Sequence, residues 1–389
     1  MVKLPNFQQF KVLCSQMFRR FFQILLALFL FTAQYCFAQL NNTHLETFQH
    51  IDSTKNQQLY FQFNSFSFLK NNEYFGKIAD GFTLFGNQFS PKFIYQPAPN
   101  VSIEAGIYAW KDFGNDKFTS VKPIFTIKVQ KDSSQFLFGN LDGQLNHHLV
   151  EPMLNFERVI LNRQEFGIQY TKRTSKTFFD SWIDWQQMIY KGSDFQEKIF
   201  AGFSWNKRLI QHKNFRLSLP VQLTLQHHGG QITSSKDTNQ VVTYTNVALG
   251  VEAELKTEGF FQRFKTQNYW LGYRQNSGYN PYFSEGSGIY LNLLAETKVI
   301  NLMLSYWQSS GFFAEAGGDL YQSIGRVYRN PNQLEKERKL LFFRFMKDWK
   351  LIDNLWLTFR FEPYFDLNNH SFEHSEGLFL TYRQGFKVK

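Results

Sequence analysis

The chain has 389 residues, of which 43% are hydrophobic, 19% charged and 19% aromatic, at a mean hydropathy of −0.37. These fractions exclude a disordered tail, a collagen-like chain and a bundle of transmembrane helices. Two or three soluble domains or one large closed sheet fit the length. With 46 Phe and 18 Tyr at a negative mean hydropathy, apolar side chains must be diluted by polar ones along the chain.

The first predicted element is an export signal over 1–38. Lys3, Lys11, Arg19 and Arg20 precede an apolar run from Phe21 to Phe31, and a short tail ends at Ala38. A basic region, a short apolar stretch and a small residue at the cut describe a secretory leader. The run is shorter than the 20 or so apolar residues that span a bilayer. Cleavage after Ala38 leaves Gln39 first, and a start at Met17 gives a more ordinary signal than one at Met1. A buried N-terminal helix is the bland alternative. Cys14 and Cys36 both fall in the leader, so the mature chain holds together without disulfides. Tyr35 before Cys36 is bulky where lipoprotein leaders have a small residue. Net charge falls from +10 to +6 once the four basic leader residues are removed. No basic cluster interleaved with aromatics points to nucleic acid.

After a short periplasmic lead-in over 39–57, alternation dominates. Phe215, Leu217, Leu219, Val221, Leu223 and Leu225 alternate with Arg216, Ser218, Pro220, Gln222, Thr224 and Gln226. Val247, Leu249, Val251, Ala253 and Leu255 alternate with Gly250, Glu252, Glu254 and Lys256, and Leu355, Leu357, Phe359 and Phe361 with Thr358, Arg360 and Glu362. Each run lasts about ten residues, the length of a tilted membrane strand rather than a soluble one. Unpaired backbone groups cannot sit in hydrocarbon, so without a spanning helix the sheet must close. The fold predicted over 58–389 is an all-β transmembrane antiparallel barrel. Its strands are 58–69, 81–96, 101–111, 119–130, 134–140, 164–173, 176–189, 197–207, 214–227, 241–256, 266–275, 287–297, 299–308, 338–349, 354–366 and 374–388, sixteen in all, with fourteen or eighteen open. The strand 134–140 is weak, 70–90 could hide another, and broken parity at Asn64-Ser65 reads as a bulge. Short and long connections tend to alternate, which puts both termini on the periplasmic side. A soluble sandwich with a wet face is the rival.

The last strand carries Leu378, Leu380, Tyr382 and Phe386 on one parity and Arg383 on the other. It resembles the closing strand of bacterial outer-membrane barrels, although Lys387-Val388-Lys389 follow the Phe. Gly139-Asn140-Leu141-Asp142-Gly143 and Asn146-His147-His148-Leu149-Val150-Glu151-Pro152 are similar to stretches of Bacteroidetes-type, porin-like outer-membrane barrels. The resemblance implies a Gram-negative outer-membrane location, surrounding lipid, and an assembly machinery that reads the aromatic end. It carries no known activity.

Candidate lumen-lining residues are Glu104, Lys122, Lys128, Asp180, Lys198, Arg216, Glu252, Glu254, Arg344, Asp348, Arg360, Glu362 and Arg383. Mixed charge along a pore favours hydrated solutes. The favoured function is therefore passive passage or binding of small polar solutes, with no cofactor. One alternative is a docking barrel of a surface or secretion complex, its lumen plugged by 141–163 and 309–337. The other is an outer-membrane lipid hydrolase using Asp142, His147, His148 and Glu151, with Pro152 opening a short helix bearing Met153, Phe156 and Ile160 on one face. A calcium site at Asn140, Asp142 and Asn146 does not match hand-like spacing. His227-His228 lacks a third metal ligand nearby. Trp182 between Asp180 and Asp184 is a sugar platform or lumen filling, with Trp185 on the lipid face. No Walker loop, dinucleotide fingerprint or His-Glu-x-x-His pattern occurs. Solute, oligomeric state and protein partners are not legible.

Overall fold

The computed structural model describes residues 42, 44–229, 241–278, 282–328 and 331–388. The expected leader lies outside them. The described chain forms one antiparallel sheet of seventeen strand segments that closes through β1(Leu59–Glu73) against β17(Ser371–Lys387). Between them run β2(Thr83–Phe89), β3(Lys92–Ala98), β4(Val101–Asp112), β5(Ser120–Lys131), β6(Ser134–Asn140), β7(Phe166–Arg173), β8(Thr177–Gln187) and β9(Glu197–Gln211). The rest are β10(Phe215–Gly229), β11(Val242–Lys256), β12(Phe261–Ser277), β13(Glu285–Thr297), β14(Asn301–Ser310), β15(Glu337–Ile352) and β16(Leu355–Asp366).

β2 and β3 both pair with β1 on one side and β4 on the other, so they fill one position. The break falls at Ser90-Pro91, and Pro91 has no N–H to give a ladder. Seventeen segments therefore make a sixteen-stranded barrel, as the alternation predicts. The weak strand 134–140 is real. The expected bulge at Asn64-Ser65 is not there, because β1 runs in unbroken register from Tyr60↔Lys387 to Glu73↔His374. That broken parity has another cause, described below.

Burial follows the period of two. Ser218, Gln222, Thr224 and Gln226 are buried inward, while Leu219 and, one strand on, Leu249 and Val251 are exposed outward. Connections 99–100, 132–133, 174–176, 212–214, 257–260, 298–300 and 353–354 are tight turns at one rim. At the other rim lie 74–82, 113–119, 141–165, 188–196 and 311–336. The tight rim is the periplasmic one by the usual asymmetry of such barrels.

Three segments fill the interior. The loop 141–165 turns inward from β6, where Gly139 takes φ +112; a Cβ there would lie 2.1 Å from the Phe125 carbonyl oxygen. Met153, Phe156 and Ile160 are buried, but Pro152 opens no helix; the short helical turns of this loop are Gln144–His147 and Arg158–Leu161. The loop 311–336 brings in Phe312, Ala314 and Tyr321 against Trp307, Leu340 and Phe342. The two loops touch where Gly317 lies against the Pro152 carbonyl, too close for any side chain. The segment expected as a periplasmic lead-in also enters the barrel. His44 stacks on Trp356 at 3.6 Å, Leu45 packs with Phe66, Phe156 and Phe379, and Phe48 N–H donates to Asn146. Apolar side chains in this segment gain more by covering lumenal aromatics than by staying in water.

An Arg at Leu249 or Phe359 places a charge in hydrocarbon at about 2–4 kcal/mol. Gln222→Arg should be far better tolerated, since that position faces inward. The fraction of folded, heat-modifiable barrel in outer membranes is expected to fall sharply for the first two and little for the third.

Candidate functional site

The expected loop site comes apart in space. Asp142 sits 3.2 Å from Lys128. His147 is fully buried, its Nδ1 2.6 Å from Asp180 and its Nε2 2.7 Å from Glu165, with the ring stacked on Trp182 at 3.6 Å. His148 is half-exposed, 3.5 Å from Glu46 and stacked on Phe178. Glu151 reaches Arg344, Arg360 at 3.4 Å and the Tyr321 hydroxyl at 2.7 Å. Burial pulls the His147 pKa down, but the Glu165 and Asp180 carboxylates outweigh it and push the group up to about 9. His147 is therefore a cationic clasp between loop and wall at neutral pH, out of reach of lipid.

The lumen-lining candidates all lie on inward strand positions, and most are neutralised by ion pairs or hydrogen bonds. Glu104 bridges Lys92 and Lys128. Arg216 and Arg263 share Glu254, and Lys265 meets Glu252 at 2.7 Å. Arg344 and Arg360 share Glu362 at 2.8 and 2.7 Å. Asp348 accepts from Thr358, and Arg383 donates to the His44 carbonyl. Lys198 is half-buried near the outer end of β9, and exposed Lys122 stands 5.8 Å from the Phe166 ring. Trp182 fills the interior and Trp185 is outside. His227 bonds Thr243 at 2.9 Å and His228 bonds Glu315 at 2.5 Å. Among the described residues no group of three or more His, Cys, Asp or Glu is placed for a metal.

Sequence reasoning missed a second constellation, on the outside wall. On β1 the odd residues face outward, so Ser65, Ser67, Asn71 and Glu73 occupy positions where neighbouring strands carry Phe and Leu. Across the ladder stand Asn87 and Thr83 of β2 and His374 and Glu376 of β17. Asn71 Nδ2 donates to Glu73 at 2.7 Å and to Glu376 at 3.0 Å, while Thr83 Oγ1 donates to Asn71 Oδ1 at 2.6 Å. His374 Nε2 is 3.4 Å from Glu376 Oε2, and their side chains are 35% and 41% exposed. Exposed Phe365 and Phe372 lie beyond this cluster, and exposed Leu378, Leu69 and Phe85 lie beneath it. Charged groups on the outer wall of a barrel cost free energy and mark function by default. The broken parity at Asn64-Ser65 was its signal in the sequence.

Two outcomes follow for His147. Truncation to Ala leaves Glu165 and Asp180 buried without their cation, a loss of about 3–5 kcal/mol, read as a lower unfolding midpoint in denaturant. Because its folded pKa is raised, its stabilisation is complete below about 6.5 and fades as pH climbs through about 9. Amide exchange in 141–165 should accelerate across that window in the wild type and show no such step in His147→Ala.

Comparison with known proteins places this geometry. The barrel is similar to a loop L8 deletion mutant of OmpT, an outer membrane protein of Vibrio cholerae, at 10% identity and a TM-score of 0.51, covering 84% of this chain and 99% of that one. It is also similar to the outer membrane protein OprD from Pseudomonas aeruginosa, at 8% identity and a TM-score of 0.50, covering 88% and 97%. At such identities the likeness speaks for the fold alone, a barrel of the Gram-negative outer membrane. No curated protein matches the sequence. A family model described as lipid A 3'-O-deacylase-type matches residues 51–389. The chain belongs to the lipid A 3'-O-deacylase-type family.

Proposed function

We propose that the chain hydrolyses an acyl ester of an outer-leaflet glycolipid of the lipid A class, at the outward cluster of β17, β1 and β2. The observation that carries this reading is a solvent- and lipid-accessible His–Glu pair, with a hydrogen-bonded Asn and Thr beside it, set on the outer wall among exposed Phe365, Phe372, Leu378, Leu69 and Phe85. Family membership supports the reaction class. The filled lumen argues against the interior as the place where lipid meets catalyst.

His374 is the base. Its imidazole takes a proton from water as the water oxygen attacks the ester carbonyl carbon, and returns it to the departing sugar alkoxide. Glu376 orients the ring and stabilises its cationic form. Asn71, locked by Thr83, holds Glu376 and Glu73 in place through its two amide hydrogens. The products are a free carboxylic acid and an alcohol. Exposed Phe372 and Phe75 beside the cluster would receive acyl chains. Lipid is thus both solvent and substrate for this surface.

Acyl release from glycolipid vesicles tests the assignment. His374→Ala should lower the rate about a hundredfold or more, and Glu376→Gln should lower it as well. His148→Ala, at the lumen, should leave the rate of folded protein unchanged. Full activity in folded His374→Ala would refute the reading.

A second reading, passage of small polar solutes, is favoured by one observation. The packed lumen still contains cavities that charged side chains help to line, among them one towards the outer rim and one towards the inner.

A further inference from the structure

The outer-side cavity, about 70 Å³, is bounded by Tyr74, Asp80 and Asp319. The inner-side cavity, about 180 Å³, is bounded by Gln267, Met346, Asp348 and Thr358, with Asn42 of the N-terminal segment at its edge. Glu151 and Arg344 line both. They are the partition.

This partition is built around a single loop carboxylate. Glu151 binds Arg344 through Oε2 and Arg360 through Oε1, and the Tyr321 hydroxyl of the other loop donates to it at 2.7 Å. Both arginines belong to the wall, on adjacent strands β15 and β16, and their side chains are 3% exposed. Glu362 holds them from the wall side, at 2.8 and 2.7 Å. Lys70 stands nearby with Glu157 at 3.7 Å. Three cations thus face three carboxylates, and only Glu151 both reaches across from the plug and keeps appreciable exposure, 27% of its side chain. A guanidinium pair aimed at one loop carboxylate offers the same bidentate chemistry to any other small carboxylate.

We propose that Glu151 is a gate seated in an anion site: a small carboxylate solute replaces it on Arg344 and Arg360, and its release joins the two cavities. The wall arginines and Glu362 stay in place through the exchange. Glu151, freed from them, carries the 149–153 stretch of the loop away from Tyr321. Between one solute leaving and the next arriving, the arginine pair carries one positive charge more than it does with Glu151 seated, so it draws anions in preference to cations. This inference is independent of the hydrolysis at the outer wall.

Planar-bilayer recording of the refolded chain tests it. The wild type should rest closed in potassium chloride, and brief openings should rise in frequency as potassium acetate is added on one side. Glu151→Ala should lose the closed level and give a steady current whose reversal potential shows anion selectivity. Glu46→Ala, removing a carboxylate of the N-terminal segment away from the partition, should stay closed. A folded Glu151→Ala that stays closed, or a Glu46→Ala that opens to the same extent, overturns the proposal. Should Glu151→Ala fail to fold, Glu151→Gln keeps the volume and removes the charge, and the acetate series on the wild type decides independently. Openings that do not change with acetate overturn it.

Discussion

Hydrocarbon cannot solvate a polar group, and this protein is organised around that fact. Every backbone N–H and C=O in the wall must find a neighbour, which forces the sheet to close β1 onto β17. Every outward side chain must be apolar or be held by a partner. The alternation of Leu219 with Gln222 or Leu249 with Glu252 is the direct imprint of that demand. Departures from it are therefore informative. One run of departures, across Ser65, Ser67, Asn71, Glu73, His374 and Glu376, coincides with the seam that closes the barrel.

The inside obeys a different balance. Charges are admitted there because most find an opposite charge or a hydrogen-bond partner, and the wall is held to its filling by ion pairs: Lys128 with Asp142, Asp180 with His147, Arg344 and Arg360 with Glu151. Breaking one side of a buried pair costs more than making it gains, so these contacts fix where the loops sit more than they add stability. Aromatic packing supplies the rest, with Trp307, Tyr321 and Phe342 on one side and Phe66, Phe156 and Phe379 on the other.

The period of two made the barrel, its sixteen positions and its inward charges legible, because alternation is a local property of each strand. Pairing across the sheet is not local. Nothing in the order of residues says that Glu165 meets His147, or that Asn71 lies between Thr83 and Glu376, since the first depends on how one loop folds back on itself and the second on register between strands. The segment expected as a lead-in over 39–57 is no easier to read, because its few apolar residues, Leu45, Phe48 and Ile51, give no sign of what they cover. Asn64-Ser65 shows how a correct signal can be misread. A bulge and a run of polar outward residues break parity alike, and only the continuous pairing with β17 separates them.

The central claim, that charged residues of the β17–β1–β2 seam face lipid, is open to a direct measurement. No cysteine occurs beyond Cys36, so single nitroxide labels can be placed at 375, 376, 377 and 378 in reconstituted protein. Collisions with oxygen, which concentrates in lipid, should dominate at 376 and 378 alike and fall at 375 and 377. Preferential collision of the 376 label with a water-soluble nickel chelate, with lipid access confined to 378, would contradict the account.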